Sequence, residues 1–298
     1  MATLTVLVGT LFPLLMDALG QGKYSVGPPY FNAVFVPLMA LLAPFMGIGP
    51  LSRWRDDSLH RWRSQLLLPA GVAVAVALIA PLFGAERFNL WVSLAVLLAS
   101  WVVLGLLQDF RARRRDVPIG RALRRQSASY WGMVLAHAGF AAVVVGVVAT
   151  SQYSIERDLR MAPGDSETLA GYRFDFVDTR RVTGPNYLAD AARFEVFSAG
   201  RPVAVLQAEK RRYFASGSVM TEAAIDAGLF RDLYVAMGEP VGSEGAWAIR
   251  LHYKPMVRWM WLGALAMGIG GIVTVFDRRY RRAPRRVAVE EGLDATPA

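Results

Sequence analysis

Six apolar runs separated by polar loops set the first constraint on this chain. They are Ala2–Leu19, Phe31–Ile48, Leu66–Phe83, Leu90–Leu107, Tyr130–Val148 and Met256–Phe276. Each is close to the ~20 residues a helix needs to cross the hydrocarbon core of a bilayer. Water cannot satisfy peptide groups inside that core, so a spanning run has to close its own hydrogen bonds as helix. The 298-residue chain is 54% hydrophobic, above the ~45–50% usual for soluble domains. The first run starts at Met1 without a polar n-region or a small-residue cleavage site, so it reads as a helix rather than a removable signal.

Basic residues mark alternate loops. Arg53, Arg55, Arg61 and Arg63 follow the second run, and Arg111, Arg113, Arg114, Arg115, Arg121, Arg124 and Arg125 follow the fourth. Arg278, Arg279, Arg281, Arg282, Arg285 and Arg286 follow the sixth. The intervening loops carry only Lys23, Glu86 and Arg87. The positive-inside rule then places both termini in the cytoplasm and Ser151–Pro255 outside. Trp54, Trp91, Trp131, Trp259 and Trp261 fall near the expected interfaces, as in an aromatic belt. A pI near 10.1 would suggest nucleic acid in a soluble protein. Here Tyr153–Lys254 carries 13 basic and 14 acidic residues and the rest of the chain 20 and 10. The positive charge belongs to the membrane part, and nucleic acid is not an expected partner; membrane lipids are.

The hundred or so polar residues between the fifth and sixth runs alternate with a period of two. Phe174 and Phe176 alternate with Arg173 and Asp175, and Phe194 and Val196 with Arg193 and Glu195. Trp247, Ile249, Leu251 and Tyr253 alternate with Ala248, Arg250 and His252. Turn residues stand at Gly184–Asn186 and Ala199–Pro202. These features predict a small antiparallel β-barrel or sandwich held to the membrane at both ends. The expected fold is an α-helical integral membrane protein of about six spans with an inserted extracytoplasmic β domain. Its expected parts are a five-helix region at 1–150, the β domain at 151–255, a last span at 256–276 and a basic tail at 277–298. The insert has no nucleophile–base pair, phosphate loop or metal-spaced cluster, so a docking or chaperoning surface suits it better than an isolated enzyme.

Chemistry has few carriers. There is no cysteine, which removes disulfides, zinc ribbons, thiol nucleophiles and a Cys-x-x-Cys-His haem attachment. The histidines are His60, His137 and His252. His137 lies inside the fifth run, where an ionisable side chain is expensive and normally faces the bundle interior. Neutral imidazole is a strong axial ligand for haem iron, and Ala136, Ala138, Gly139 and Ala141 would let a flat macrocycle approach the helix. The plainer reading is a histidine bonded to another helix, with Gly139 and Gly146 serving helix packing. No other run contains a histidine, so a second histidine ligand would have to come from another polypeptide. His60 reads as a solvated loop residue near headgroups and His252 as an interfacial strand residue. Asp17 reads as an interface-level carboxylate, or one member of a relay. Lys23, in an aromatic and proline-rich loop, suits either a plain connector or a contact to a haem propionate.

Several segments together resemble one family. They are GTLFPLLMDALG at Gly9–Gly20, KYSVGPPYFN at Lys23–Asn32, MGIGPL at Met46–Leu51 and AHAG at Ala136–Gly139. The series continues with EKRRY at Glu209–Tyr213, TEAAID at Thr221–Asp226, RDLY at Arg231–Tyr234, WMWLG at Trp259–Gly263 and DRRY at Asp277–Tyr280. In this order they resemble the CcmF family of cytochrome c-type biogenesis proteins, which includes the NrfE branch serving nitrite reductase. The resemblance implies the haem lyase subunit of bacterial c-type cytochrome maturation. Such a subunit takes haem from the chaperone CcmE and joins it to the thiols of apocytochrome c, with CcmH as the thiol-reducing partner. It also implies a haem b between two transmembrane histidines, the second mapping onto His137, with quinol as a candidate electron source. The family's Trp-rich haem-receiving loop, its two flanking histidines and the first haem b ligand lie in an N-terminal half without counterpart here. The chain therefore reads as a C-terminal piece, expected to bind haem firmly only with that half. A non-catalytic scaffold presenting the β domain is the rival reading. A solute transporter lacks paired midplane charges and an inverted repeat.

Overall fold

The computed structural model describes residues 2–52, 59–83, 88–114, 117–242 and 245–277. Arg53, Trp54, Arg55, Glu86, Arg87, Arg115 and the basic tail from Arg278 lie outside the described residues.

The apolar runs fold as helices α1 (Ala2–Ala18), α2 (Pro28–Ile48), α3 (Leu59–Ile79), α4 (Leu90–Arg114), α6 (Ala128–Tyr153) and α7 (Val257–Val275), with a short α5 (Ile119–Arg125) between α4 and α6. All but α1 and α5 are long and apolar enough to cross a membrane; α1 is apolar but shorter. Local signals explain the helix starts. Pro28 and Pro29 open α2, where a missing N–H costs nothing. Ser127 caps α6, its hydroxyl accepting from the Tyr130 N–H at 3.2 Å.

Small residues set the helix packing. Gly132, Gly139 and Gly146 stand seven apart on α6 and face Gly270, Gly263 and Met260 of the antiparallel α7. A Cβ on Gly139 would lie 2.6 Å from the Gly263 carbonyl oxygen, and one on Gly263 would lie 2.5 Å from that of Gly139. The two backbones touch, the arrangement by which helices associate where lipid offers no hydrophobic drive. The crossing of α2 and α4 is similar. Gly105 meets the Gly47 backbone, and the Trp101 indole N–H donates to the Pro44 carbonyl at 2.9 Å.

Among the described residues between α6 and α7 there are nine strands. They are β1 (Ile155–Met161), β2 (Ser166–Leu169), β3 (Tyr172–Thr183), β4 (Tyr187–Ser198), β5 (Arg201–Tyr213), β6 (Val219–Glu222), β7 (Ala224–Ala227), β8 (Arg231–Val241) and β9 (Ala246–Pro255). They make two antiparallel sheets, ordered β1-β9-β8-β7 and β2-β3-β4-β5-β6. This is a sandwich; the sheets do not close into a barrel. Its core contains Phe174, Phe176, Phe194, Val196, Leu206, Leu233, Val235, Met237, Ile249 and Leu251, the inward positions of the period-two pattern. The β4–β5 hairpin turns through Ala199 (φ 48°) and Gly200 (φ 76°), the positive-φ pair a two-residue hairpin requires.

The sandwich is joined to the membrane by two adjacent strands. β1 follows α6 directly, β9 runs directly into α7, and the two pair from Ile155↔Tyr253 to Met161↔Trp247. The Thr150 hydroxyl donates to the Pro255 carbonyl at 2.7 Å, tying the helix ends together.

Candidate functional site

His137 lies in the third turn of α6, half-buried. Helix geometry places Tyr130, Met133, His137, Phe140 and Val144 on one stripe, roughly 140° around the axis from the glycines that face α7. Along that stripe Phe140 packs with Ala43 of α2 and Val102 of α4, and Met39, Met46, Leu98 and Val144 close around them. His137 therefore belongs to the α2–α4 side of its helix, one turn from this small apolar cluster.

The ring's hydrogen bond fixes its tautomer. His137 Nδ1 lies 2.9 Å from the Met133 carbonyl oxygen of its own helix. A carbonyl only accepts, so Nδ1 carries the proton and Nε2 of the neutral ring keeps its lone pair. This is how ligating histidines are commonly oriented, with the far nitrogen committed to a backbone carbonyl. The bond stays within α6 and does not join two helices. Gly139 and Gly146, by contrast, do serve helix packing.

One helical stretch away, charged groups hold the same helices together. Asp109 of α4 is only 4% exposed and pairs with Arg113 at 2.9 Å. The Arg113 guanidinium sits over the Tyr130 ring, 4.8 Å from its centre. After α7, Asp277 accepts from the Ser129 N–H at 2.7 Å, placing a carboxylate at the positive end of the α6 dipole. Sequence reading missed these two buried carboxylates. An acid four residues before an arginine at the end of an apolar run was the available signal for Asp109; the contact of Asp277 with Ser129 spans too much chain to leave one.

The other candidates are dispersed. Asp17 is exposed near the end of α1. Lys23 lies in the α1–α2 loop, beside Tyr24, whose ring meets Phe12 edge-on at 5.8 Å. His60 falls in the first turn of α3, and its side chain is outside the described residues. His252 lies in the sandwich, not in the helices. Its ring meets Tyr234 edge-on at 5.9 Å, and its Nδ1 is 3.5 Å from Glu156. Among the described residues no group of three or more His, Cys, Asp or Glu side chains could hold a metal ion. Among the described side chains of the helices, His137 is the one imidazole that could serve as a ligand to a haem.

On the sandwich, a shallow depression of about 470 Å³ crosses the outer face of the four-stranded sheet. Ala236, Gly238 and Ala248 are among its lining residues, with Asp158, Arg250 and Thr221. Arg250 is held by Asp158 at 2.6 Å and by Glu156 at 3.0 Å. Burial pushes the nearby His252 imidazole below its ordinary value, with Glu156 pulling the other way. An unfolded histidine protonates near pH 6.5, whereas folded His252 resists until lower pH. The contribution is therefore present above about pH 6.5 and is lost as pH falls through the window below it. Thermal melts of the sandwich between about pH 7 and pH 5 should show His252→Gln losing less stability on acidification than the unsubstituted chain. Parallel profiles would contradict this.

The fold and its likenesses agree. A family model described as the CcmF C-terminal beta-sandwich matches residues 152–255. The cytochrome c-type biogenesis protein CcmF of Pseudomonas aeruginosa is 49% identical over 290 residues, covering 97% of this chain and 44% of the relative. CcmF of Escherichia coli is 43% identical, covering 97% of this chain and 44% of the relative. The chain belongs to the CcmF family. It corresponds to that family's C-terminal half and spans less than half the length of these relatives. A solved structure named cytochrome c heme lyase CcmF superposes with a TM-score of 0.67 at 22% identity, covering 92% of this chain and 43% of that one. At that identity the likeness concerns the fold, a multi-pass bundle carrying a β-sandwich.

Proposed function

We propose that this chain is the C-terminal part of a membrane haem lyase of c-type cytochrome maturation. Its role is to supply one axial histidine, His137, to a haem b completed by a second histidine from the N-terminal half of the family. It also helps pass haem from the chaperone CcmE to apocytochrome c for thioether formation, with CcmH presenting reduced thiols. Support comes from the kinship with CcmF proteins and from one observation above all. The His137 Nδ1 proton is committed to Met133, which leaves Nε2 free for iron beside small residues. Haem b, when bound, supplies a redox-active iron; the chain's own part is to orient the imidazole and keep water from it through the Phe140 cluster.

The proposed orientation puts both termini in the cytoplasm and the sandwich in the periplasm. The arginines at the α4–α5 end of the bundle, Arg111 to Arg125, support it. The test is a haem spectrum of the detergent-purified chain, alone and co-expressed with the family's N-terminal half. A six-coordinate b-type spectrum that needs both halves and vanishes in His137→Ala is the expected result. A stable complex whose haem survives His137→Ala would sink the ligand assignment and favour a non-catalytic scaffold.

A further inference from the structure

The β7–β8 turn is pinned by more polar contacts than a plain connector needs. Arg231 forms an ion pair with Asp226, and its guanidinium lies over the Tyr172 ring, 5.1 Å from the centre. Asp232, 4% exposed, accepts from the Gly228 N–H at 3.1 Å. The Gly228 N–H also donates to the Arg231 carbonyl at 2.9 Å. What this rigid turn presents outward is apolar: Leu229 is 49% and Phe230 62% exposed. A soluble loop gains nothing from holding two large apolar side chains in water.

The turn's height is set by α7. The Met256 N–H, just before the helix, donates to the Phe230 carbonyl at 3.0 Å. The Phe230 ring lies 6.2 Å from that of Trp259 in the first turn. Arg258, itself exposed, donates to the Ala227 carbonyl at 3.1 Å. Below them Trp261 and Leu265 are 73% and 61% exposed on α7, the surface a spanning helix offers to acyl chains. Leu229 and Phe230 thus sit beside the first turn of α7, next to the exposed Arg258 and at one end of the exposed apolar surface of that helix. A membrane spanned by α7 would have its headgroups at this level. Aromatic and basic residues concentrate at that depth.

We propose that the β7–β8 turn is a lipid-contacting foot. Leu229 and Phe230 seat in the acyl–headgroup boundary of the leaflet on the sandwich side. The β1–β9 stalk holds the sandwich at one point; the foot is a second, which fixes its tilt and so the direction in which its outer sheet face looks. This is independent of haem binding and requires only that α7 span the membrane.

The absence of cysteine makes single-cysteine reporters direct. Phe230→Cys and Leu229→Cys would carry a nitroxide in the full chain, in phosphatidylcholine nanodiscs, alone and with the family's N-terminal half. Leu265→Cys is the lipid reference and Ser218→Cys, in the β5–β6 turn, the water reference. The expected result is that the labels at 229 and 230 match position 265, with an oxygen-to-nickel-chelate collision ratio several-fold above that at position 218. A ratio equal to that at 218 overturns the proposal. Shielding from both probes in either preparation also overturns it, because it assigns the pair to a protein contact. Agreement between the two labels guards against a local distortion by either substitution.

Discussion

Gly139→Leu is expected to be among the most damaging single changes in the helical region. The Cβ alone would stand 2.6 Å from the Gly263 carbonyl oxygen and 3.0 Å from Met267, and the remaining side-chain atoms have nowhere to go except between the helices. Backbone cannot yield as a flexible side chain does, so α6 and α7 must separate. Overpacking of this kind costs roughly 1–3 kcal/mol or more, and here it also lengthens the contacts of the flanking Gly132 and Gly146. The right comparison is Gly271→Leu on α7, where a Cβ meets nothing within 4 Å. Thermal unfolding of the helical part in detergent should shift down strongly for position 139 and hardly at all for position 271. If both behave alike, the close packing of α6 on α7 is not what holds the bundle. The same displacement would move His137, so the two-half haem spectrum should weaken in Gly139→Leu although the ligand itself is intact.

How much of this was readable in the chain beforehand follows a physical divide. Features carried by local pattern were legible. Apolar length marked the spans, and period-two alternation marked Phe174, Phe176, Phe194, Val196, Ile249 and Leu251 as inward-facing. The family was legible from its short segments, because residue order survives where geometry is unknown. Features that depend on which helix lies against which were not. Gly139 and Gly146 suggested packing, but their partners Gly263 and Met260 lie more than a hundred residues further on, and nothing local pairs them. The choice between barrel and sandwich turned on whether the two sheets close, which alternation does not encode. His137 was legible as a candidate because an imidazole in an apolar run is costly. Which of its nitrogens is free was not, since the Met133 bond is a matter of rotamer.

The sandwich should answer to a different substitution from the bundle. Phe176 is 1% exposed and stacks on Phe194 with ring centres 4.6 Å apart. Phe176→Ala removes a whole ring from a core closed on both faces by strands, where collapse around the void is limited. Such truncations cost about 3–5 kcal/mol, a large share of the total stability of a domain this size. Because the chain passes between sandwich and helices only through β1 and β9, and the β7–β8 turn adds only a few contacts to the start of α7, loss of the sandwich need not open the helices. Two unfolding steps are therefore expected, and Phe176→Ala should lower only the one followed by strand signal and by protease cleavage between Ile155 and Pro255. Gly139→Leu should lower only the other. A double substitution with Phe194→Ala would then cost less than the two single changes added, since each already forfeits the stacking contact. If one substitution moved both steps together, the β1–β9 stalk would be transmitting strain rather than merely tethering. Sandwich and bundle would then have to be treated as a single cooperative unit.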